Sequence, residues 1–344
     1  MARTTIKDIA EASGVSQMTV SNVINDRKSK ASAATIEKIN QAIKNLNYRP
    51  NMSARSLASS ASKMVGVVIP FTENQNQLLL DNPFYAEMIS GIESALREQG
   101  YYMMLAGVGE SNVALDVISH WNVDGLIVLG IYPEGLYDLL KTMKLPTLLI
   151  DSYIEDDHFY HLRVDDDAAA FEATNYLIAQ GHKNIALVTG AIREDGVIKR
   201  RLAGYNRALK QANLVQNPDY IFEGSVGFAW GQKAADKLIA QNKITAAFCT
   251  ADLIAAGLLA GLHKNGKQIP QDISVMGFDN ISISQMVYPA LTTMDQEIVG
   301  KGRIAANLMT SLLTKKQVER EVETKVKIII RDSVSKFKMR RDDV

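Results

Sequence analysis

The sequence predicts an α/β protein with a three-helix N-terminal headpiece and a larger domain of two lobes built on parallel sheets. Three observations predict it: short amphipathic helices with a basic charge at the N-terminus, a long alternation of strands and helices from Met64 onward, and carboxylates that directly follow several of those strands. At 344 residues the chain is too long for one ordinary core, so two or three domains are expected.

The headpiece is basic, although the formal net charge of the whole chain is zero. Residues 1–63 contain 10 Lys and Arg against 4 Asp and Glu, a balance of +6, and the rest contains 28 against 34, a balance of −6. A small domain that concentrates positive charge suits binding to phosphate groups. Many solvated helical surfaces are also basic, so charge alone does not identify nucleic acid as the partner.

Helix signals divide the headpiece into three segments. Thr5, with Asp8 three residues later, has the spacing of a capping box and opens a first helix. Ser16 can cap a second helix over residues 17–25, and residues 32–46 fit a third that covers the other two. The first two helices, joined by a tight turn, form a helix-turn-helix.

Several motifs are spread over this region, and they occur at characteristic spacings: Thr5-Ile6-Lys7-Asp8-Ile9-Ala10, Gly14-Val15-Ser16, Thr19-Val20-Ser21, Asn25, Tyr48-Arg49-Pro50-Asn51 and Ala54-Arg55-Ser56-Leu57. Together they strongly resemble the lactose-repressor (LacI/GalR) family, far more specifically than one motif could. The resemblance implies a transcriptional repressor that binds palindromic operator DNA as a homodimer.

The resemblance also implies which headpiece residues contact DNA. Three side chains of the second helix are expected to read bases: Gln17, Met18 and Asn22. Five others are expected to position the DNA backbone: Thr5, Ser16, Thr19, Ser21 and Asn25. An amide can bond adenine twice, whereas Met18 can only pack against an apolar edge such as a thymine methyl. The family more often has Arg at the position of Asn22, and the alternative for each polar residue is a solvated helix surface.

Residues 51–63 are expected to form a hinge helix and linker. Asn51, Ala54, Arg55 and Leu57 match the family's minor-groove segment, in which Leu57 corresponds to the residue that wedges between base pairs. A seven-residue helix is unstable alone in water, so this segment is expected to order only on operator DNA.

The region from residue 64 onward alternates between strands and helices, which indicates parallel sheets covered by helices. Strands are predicted at 65–70, 101–106, 126–129, 147–150, 185–189, 246–250, 273–277 and 322–330, and helices at 84–99, 168–180, 198–212, 230–240, 253–265 and 298–313. Two such series indicate two lobes. Lobe 1 is assigned residues 64–163 and 295–320, and lobe 2 residues 164–294 and 321–335.

Carboxylates that follow strands mark the expected cleft between the lobes. Asp151, Asp252 and Asp279 each come after an apolar strand, and ligands bind at the carboxyl ends of such strands. Carboxylates accept hydrogen bonds from sugar hydroxyls, and aromatic faces such as those of Phe84, Tyr85 and Trp230 can stack on a sugar ring. For Asp252 the favoured alternative is the N-cap of the following helix.

Further motifs extend the resemblance over nearly the whole chain: Gly181-His182-Lys183-Asn184-Ile185-Ala186, Arg201-Leu202-Ala203-Gly204-Tyr205, Ser274-Val275-Met276-Gly277-Phe278-Asp279 and Leu291-Thr292-Thr293. It implies a periplasmic-binding-protein-like sensor domain that binds a small-molecule effector, expected from family precedent to be a sugar. The implied effector contacts are Phe84, Tyr85, Asp151, Arg201 and Asp279. Ala251 departs from the family, which often has Asn there.

Two other functions compete with a regulator. A solute-binding protein of a transport system would share the two-lobed fold, but the N-terminus has no signal-peptide pattern, so the cytoplasm is expected. An enzyme on a dinucleotide-type fold would need more than the incomplete glycine motif at residues 107–109, and no catalytic pairing is evident. No cofactor or metal is expected. The lone Cys249 fits a buried strand, and the short charged tail favours a dimer.

Overall fold

The computed structural model consists of two units, Met1–Ser62 and Lys63–Val344. It describes residues 4–24, 31–48, 61–71, 78–109, 122–130, 135–194 and 196–338. The predicted α/β class is confirmed. The hinge residues Asn51, Ala54, Arg55 and Leu57, together with Asn25, lie outside the described residues.

The first unit contains the three predicted helices: α1 (Ile6–Ser13), α2 (Gln17–Ile24) and α3 (Ala33–Asn45). The capping box is present, because the Thr5 side chain accepts from the Asp8 backbone while the Asp8 side chain accepts from the Thr5 backbone. Gly14 ends α1 with a φ of 68°, a left-handed conformation that glycine adopts without steric cost. Ile9, Val20 and Ile39, one from each helix, are fully buried and form the small core.

Lobe 1 is built on a six-stranded parallel sheet with the strand order β11-β5-β4-β3-β1-β2. The strands are β1 (Met64–Pro70), β2 (Tyr102–Val108), β3 (Gly125–Leu129), β4 (Thr147–Ile150), β5 (Tyr160–Val164) and β11 (Glu321–Thr324). The helices that belong with it are α4 (Pro83–Glu98), α5 (Gly135–Thr142) and α11 (Ile298–Leu313). Central strands such as β3 are apolar and buried throughout, as a parallel sheet covered on both faces requires.

Lobe 2 is built on a second six-stranded sheet with the order β12-β10-β9-β8-β6-β7. The strands are β6 (Ile185–Thr189), β7 (Ile221–Glu223), β8 (Ala246–Cys249), β9 (Ser274–Asp279), β10 (Thr292–Asp295) and β12 (Lys327–Ile329). The helices are α6 (Asp166–Ala179), α7 (Val197–Gln211), α8 (Phe228–Ala240), α9 (Asp252–Lys264) and α10 (Ile283–Met286), with a 3₁₀ turn at Pro218–Tyr220. All pairs are parallel except β10 with β12.

The prediction of a single strand over residues 322–330 is wrong, and so is the assignment of its first part to lobe 2. Residues 322–330 form two strands rather than one: β11 pairs with β5 in lobe 1, and β12 pairs with β10 in lobe 2. The chain therefore crosses between the sheets three times, after β5, after β10 and between β11 and β12. These three crossovers bring the carboxyl ends of the two sheets face to face.

The sequence analysis also missed the strands β5, β7 and β10 and the helices α5 and α10. Three of these are strands of three to five residues, and β10 contains two threonines and an aspartate, so their patterns are too short or too polar to stand out. Cys249 is a buried strand residue, as predicted. No helix in the described part of the chain is long and apolar enough to cross a membrane.

Candidate functional site

A cavity of about 150 Å³ lies between the two sheets of the larger unit. All five predicted effector contacts are among its lining residues: Phe84, Tyr85, Asp151, Arg201 and Asp279. A cavity of this volume can hold one six-membered ring, since an engineered protein cavity of about 150 Å³ binds benzene. Lobe 1 supplies the aromatic pair and one carboxylate, and lobe 2 supplies the guanidinium and the other carboxylate.

Asp151 follows the last residue of β4 and has a φ of 53°. Non-glycine residues seldom adopt positive φ, and such conformations cluster at functional sites. Its Oδ1 accepts a hydrogen bond from Nζ of Lys301, a residue of α11 that is only 1% exposed. Burial raises the pKa of the Asp151 carboxyl, while the Lys301 ammonium acts in the opposite direction.

Asp279 ends β9 and has a φ of 116°. Its Oδ1 accepts a hydrogen bond of 2.7 Å from Nε2 of Gln296, and Nη1 of Arg201 stands 4.0 Å away. Burial raises the pKa of Asp279 to about 7, since Arg201 and Gln296 only partly offset the loss of solvation. A carboxyl group in this state can accept hydrogen bonds when ionised and donate one when protonated.

Arg201 is held by partners other than Asp279. Its Nε donates to Oδ1 of the fully buried Asp166 at 2.7 Å, and its Nη1 donates to the carbonyl of Thr250. Oδ2 of Asp166 accepts from the Tyr153 hydroxyl at 2.6 Å. The guanidinium also lies 3.7 Å from the centroid of the Phe278 ring. Arg201 is therefore part of the floor of the cavity, with its charge largely balanced inside the protein.

The aromatic pair lies at the start of α4. Asn82 caps this helix through its side chain, which accepts from the Phe84 backbone, and Pro83 occupies the first turn. The rings of Phe84 and Tyr85 meet edge to face, with centroids 5.5 Å apart. Helix capping thus fixes two aromatic rings at the cavity, where they can contact the apolar face of a ring-shaped ligand.

Trp230 and Asp252 do not line the cavity, which corrects both expectations. Nε1 of Trp230 donates to the carbonyl of Thr189 in lobe 2. Asp252 is fully buried, and it is not the N-cap of α9 either, because that position is Ala251. Its carboxylate instead accepts from the backbone of Ile281 and the hydroxyl of Thr293, so it ties α9 to two neighbouring segments.

The sequence analysis missed Arg193, which lines the cavity, and Gln296 and Lys301, which hold lining carboxylates from behind. Gln296 is 1% exposed and bridges the lobes, donating to Asp279 and accepting from Lys301 Nζ at 3.2 Å. Lys301 could have been noticed, because it stands in the first turn of a helix that begins with Ile298, Val299 and Gly300. Its partners could not, since they lie far away in the sequence.

The headpiece presents the predicted base-reading side chains on one helix. Gln17 and Met18 are exposed, Met18 by 75%, and Asn22 is half-buried. Ser21 is half-buried on the same helix.

Three of the predicted backbone contacts already take part in local hydrogen bonds. The Thr5 hydroxyl donates to Asp8, and Ser16 Oγ accepts from the Thr19 backbone and lies 2.9 Å from the Thr19 hydroxyl. These groups cap α1 and begin α2, so they hold the helix-turn-helix in shape before any DNA is present.

Comparison with family models finds two matches. Residues 5–51 match the model described as bacterial regulatory proteins, lacI family, and residues 174–334 match a periplasmic binding protein-like domain. The first match coincides with the helix-turn-helix, and the second covers most of lobe 2, the last two crossovers and, between them, α11 and β11 of lobe 1.

Similar proteins span nearly the whole chain. The HTH-type transcriptional repressor PurR of Histophilus somni is 35% identical over 338 residues, which are 96% of this chain and 98% of the relative. A lac repressor dimer bound to operator and the anti-inducer ONPF has 26% identity and a TM-score of 0.84, covering 97% of this chain and all of that one. A transcriptional regulator CelR in complex with cellobiose has 27% identity and a TM-score of 0.72, over 96% of this chain and 100% of the other.

Proposed function

This chain belongs to the LacI family of bacterial regulatory proteins, and from that premise we propose that it represses carbohydrate-utilisation genes under the control of a sugar effector. It is a DNA-binding transcriptional regulator with a helix-turn-helix and an effector-sensing domain. The observation that carries the proposal is the pair of strand-end carboxylates, Asp151 and Asp279, beside an aromatic pair in one cavity. The protein acts as a homodimer in the cytoplasm, where its DNA is, and does no catalysis.

The cavity chemistry favours a sugar. Two carboxylates supply acceptors for hydroxyl groups, and Phe84 with Tyr85 supplies an apolar surface for a ring face. Asp151 and Asp279 both have positive φ, an uncommon backbone conformation, and both line the cavity between the lobes. A solved relative binds cellobiose. A thermal-shift screen of a sugar library tests whether the effector is a sugar. If no sugar in the library raised the melting temperature, the proposal would be contradicted.

On the DNA side, Gln17 and Asn22 read base edges in the major groove, while Met18 makes an apolar contact there. Thr5, Ser16, Thr19, Ser21 and Asn25 contact the DNA backbone through hydroxyls, an amide and nearby backbone amides. Asn51, Ala54, Arg55 and Leu57 enter the minor groove, with Leu57 as the wedge. Each dimer thus presents two copies of this surface to a palindromic site.

The DNA proposal is tested with the intact protein and duplexes from upstream of its own gene. Gln17→Ala and Asn22→Ala are each expected to cost about 1–3 kcal/mol of discrimination between operator and mutated operator, with the same salt dependence as the natural protein. Gln41→Ala is the matched control, because Gln41 is exposed on α3 and bonds Asn45 within that helix. Loss of selectivity in the control, or its retention in both α2 variants, would refute the assignment.

We propose that the effector acts by changing the relative position of the lobes at the three crossovers, which alters how the two headpieces of a dimer meet DNA. Linkage requires that operator change effector affinity by the same factor as effector changes operator affinity. Calorimetric titration of the effector with and without operator measures this factor. Equal affinities in the two titrations would contradict allosteric control. The competing solute-binding protein of a transport system is already excluded, because the chain carries the lacI-family DNA-binding domain and its full-length relatives are repressors.

A further inference from the structure

Lys301 places a buried ammonium group behind the wall of the effector cavity. It belongs to α11 of lobe 1, its side chain is inaccessible to solvent, and it is not itself among the lining residues. Its Nζ donates to Asp151, which does line the cavity, and to Oε1 of Gln296. A lysine in such a place loses its hydration, so its pairing with Asp151 must balance a large cost.

Most charged side chains around the cavity form ion pairs with one another. Lys301 balances Asp151, and Arg201 balances Asp166 at 2.7 Å. Asp279 remains, with the already engaged Arg201 at 4.0 Å. Arg193 also lines the cavity and is half-buried. With Arg193 included, three carboxylates (Asp151, Asp166 and Asp279) are matched by three cations (Lys301, Arg201 and Arg193), so the formal charge around the cavity is zero.

We propose that Lys301 is a specificity-determining residue that sets the charge of the effector: by neutralising Asp151 it makes the cavity select an uncharged polyhydroxylated ring over its cationic or anionic analogues. The inference rests on the proposed function, because it presupposes a sugar in this cleft. Lys301 does not touch the effector. It acts through Asp151, whose orientation and charge it fixes.

The physical reason is the low effective dielectric of a closed cleft. Charges a few ångströms apart interact there by several times more than they do in water. With the ammonium removed, the cavity floor gains one uncompensated negative charge. With the Asp151 carboxylate removed instead, it gains one positive charge. The two changes therefore shift ligand preference in opposite directions.

The test uses the full-length protein and sugars that differ only in charge. The probes are D-glucose, D-galactose and D-mannose, each with its amino analogue and its phosphate ester, titrated by calorimetry near neutral pH. The natural protein is expected to bind one of the uncharged sugars more tightly than either of its charged analogues. In K301M the affinity ratio of amino sugar to uncharged sugar should rise by about tenfold or more, and in D151N the ratio of phosphate ester to uncharged sugar should rise similarly.

The double variant K301M/D151N restores the balance of charge. It should recover the preference for the uncharged sugar, although it binds more weakly because it has lost an acceptor. K316M is the matched control: Lys316 is exposed just beyond α11, so all ratios should stay as in the natural protein. If K301M fails to fold, D151N and the double variant still carry the comparison.

Parallel loss of affinity for all three forms of a sugar in K301M and D151N would mean a purely structural role and would overturn the inference. So would tighter binding of a phosphate ester by the natural protein, which would point to Arg193. Either result leaves the sugar effector itself in place. If no sugar of any charge binds while operator binding persists, the sugar part of the proposed function fails and the inference falls with it.

Discussion

The two carboxylates of the cleft occupy equivalent positions in the two lobes but have different electrostatic surroundings. Asp151 follows β4 and Asp279 ends β9, and both have positive φ. Asp151 is in direct contact with a buried ammonium, whereas Asp279 has an amide at 2.7 Å and its nearest cation at 4.0 Å. The same position at a strand end thus holds one carboxylate that bonds a cation directly and one whose nearest cation is too far away for a hydrogen bond.

The difference teaches that a buried acid and its apparent partner need not form a pair. Arg201 lies beside Asp279, yet its Nε bonds Asp166. Asp279 is left with a pKa raised by burial to about 7, so its protonation changes in the physiological range. Asp279 is therefore a carboxylate whose charge can respond to pH near neutrality, whereas Asp151 shares a hydrogen bond with Lys301.

The largest effect is expected for Arg201→Ala. This change leaves Asp166, which is fully buried, without its cation, and breaking a buried pair costs about 3–5 kcal/mol. Loss of effector response would then come with loss of stability, so urea unfolding must accompany any binding assay. Arg207→Ala on the same helix is the control, because its bond to Asp167 is partly exposed and contributes about 0–1 kcal/mol. Equal costs for the two variants would contradict the asymmetry.

Asp151→Asn and Asp279→Asn compare the two acids directly. Asp151→Asn strands the Lys301 ammonium and should lower the free energy of unfolding by about 3 kcal/mol. Asp279→Asn removes a charge that has no contacting cation and should cost about 1 kcal/mol or less. Both are measured by urea unfolding of the effector-free protein near neutral pH. A larger cost for Asp279→Asn would reverse the comparison.

A pH titration of the natural protein beside Asp279→Asn tests the raised pKa of Asp279. Because its pKa is higher in the folded state than its ordinary value of 3.8, the folded protein binds the proton more tightly than the unfolded chain does. This group therefore stabilises the fold at low pH, and that contribution is lost as pH rises toward about 7. Asp279→Asn should flatten this part of the curve of melting temperature against pH. An unchanged slope would mean that another group titrates there.

The sequence predicted those parts of the site that depend on local order. A carboxylate that directly follows an apolar strand must lie at the sheet edge, and on that ground Asp151 and Asp279 were predicted to line the cleft. Asp252 met the same criterion but does not line the cavity. Its carboxylate is buried and accepts hydrogen bonds from the hydroxyl of Thr293 and the backbone of Ile281. The order of residues along a strand does not show which strand-end carboxylate will meet a hydrogen-bond donor from another segment.

Contacts between segments that are distant in the sequence could not be predicted from it. Lys301 and Asp151 are 150 residues apart, and only the return of α11 to lobe 1 brings them together. The short strands β5, β7 and β10 were missed for a related reason, since their neighbours in the sheet determine them more than their own pattern does. The headpiece, in which contacts are local and caps are explicit, was predicted almost residue by residue.

The smallest change in stability is expected for a lysine–carboxylate pair that is exposed to solvent. Lys327 contacts Glu297 at 2.6 Å beside the second and third crossovers, with both side chains more than half exposed. The pairing lowers the pKa of Glu297 through a hydrogen bond, yet water screens the two charges. Lys327→Met should therefore leave the urea midpoint unchanged within error. A loss of stability as large as that of Asp151→Asn would show that the location of an ion pair at the crossovers, and not its burial, determines how much it stabilises the fold. The contrast between Asp151 and Asp279 would then need another cause.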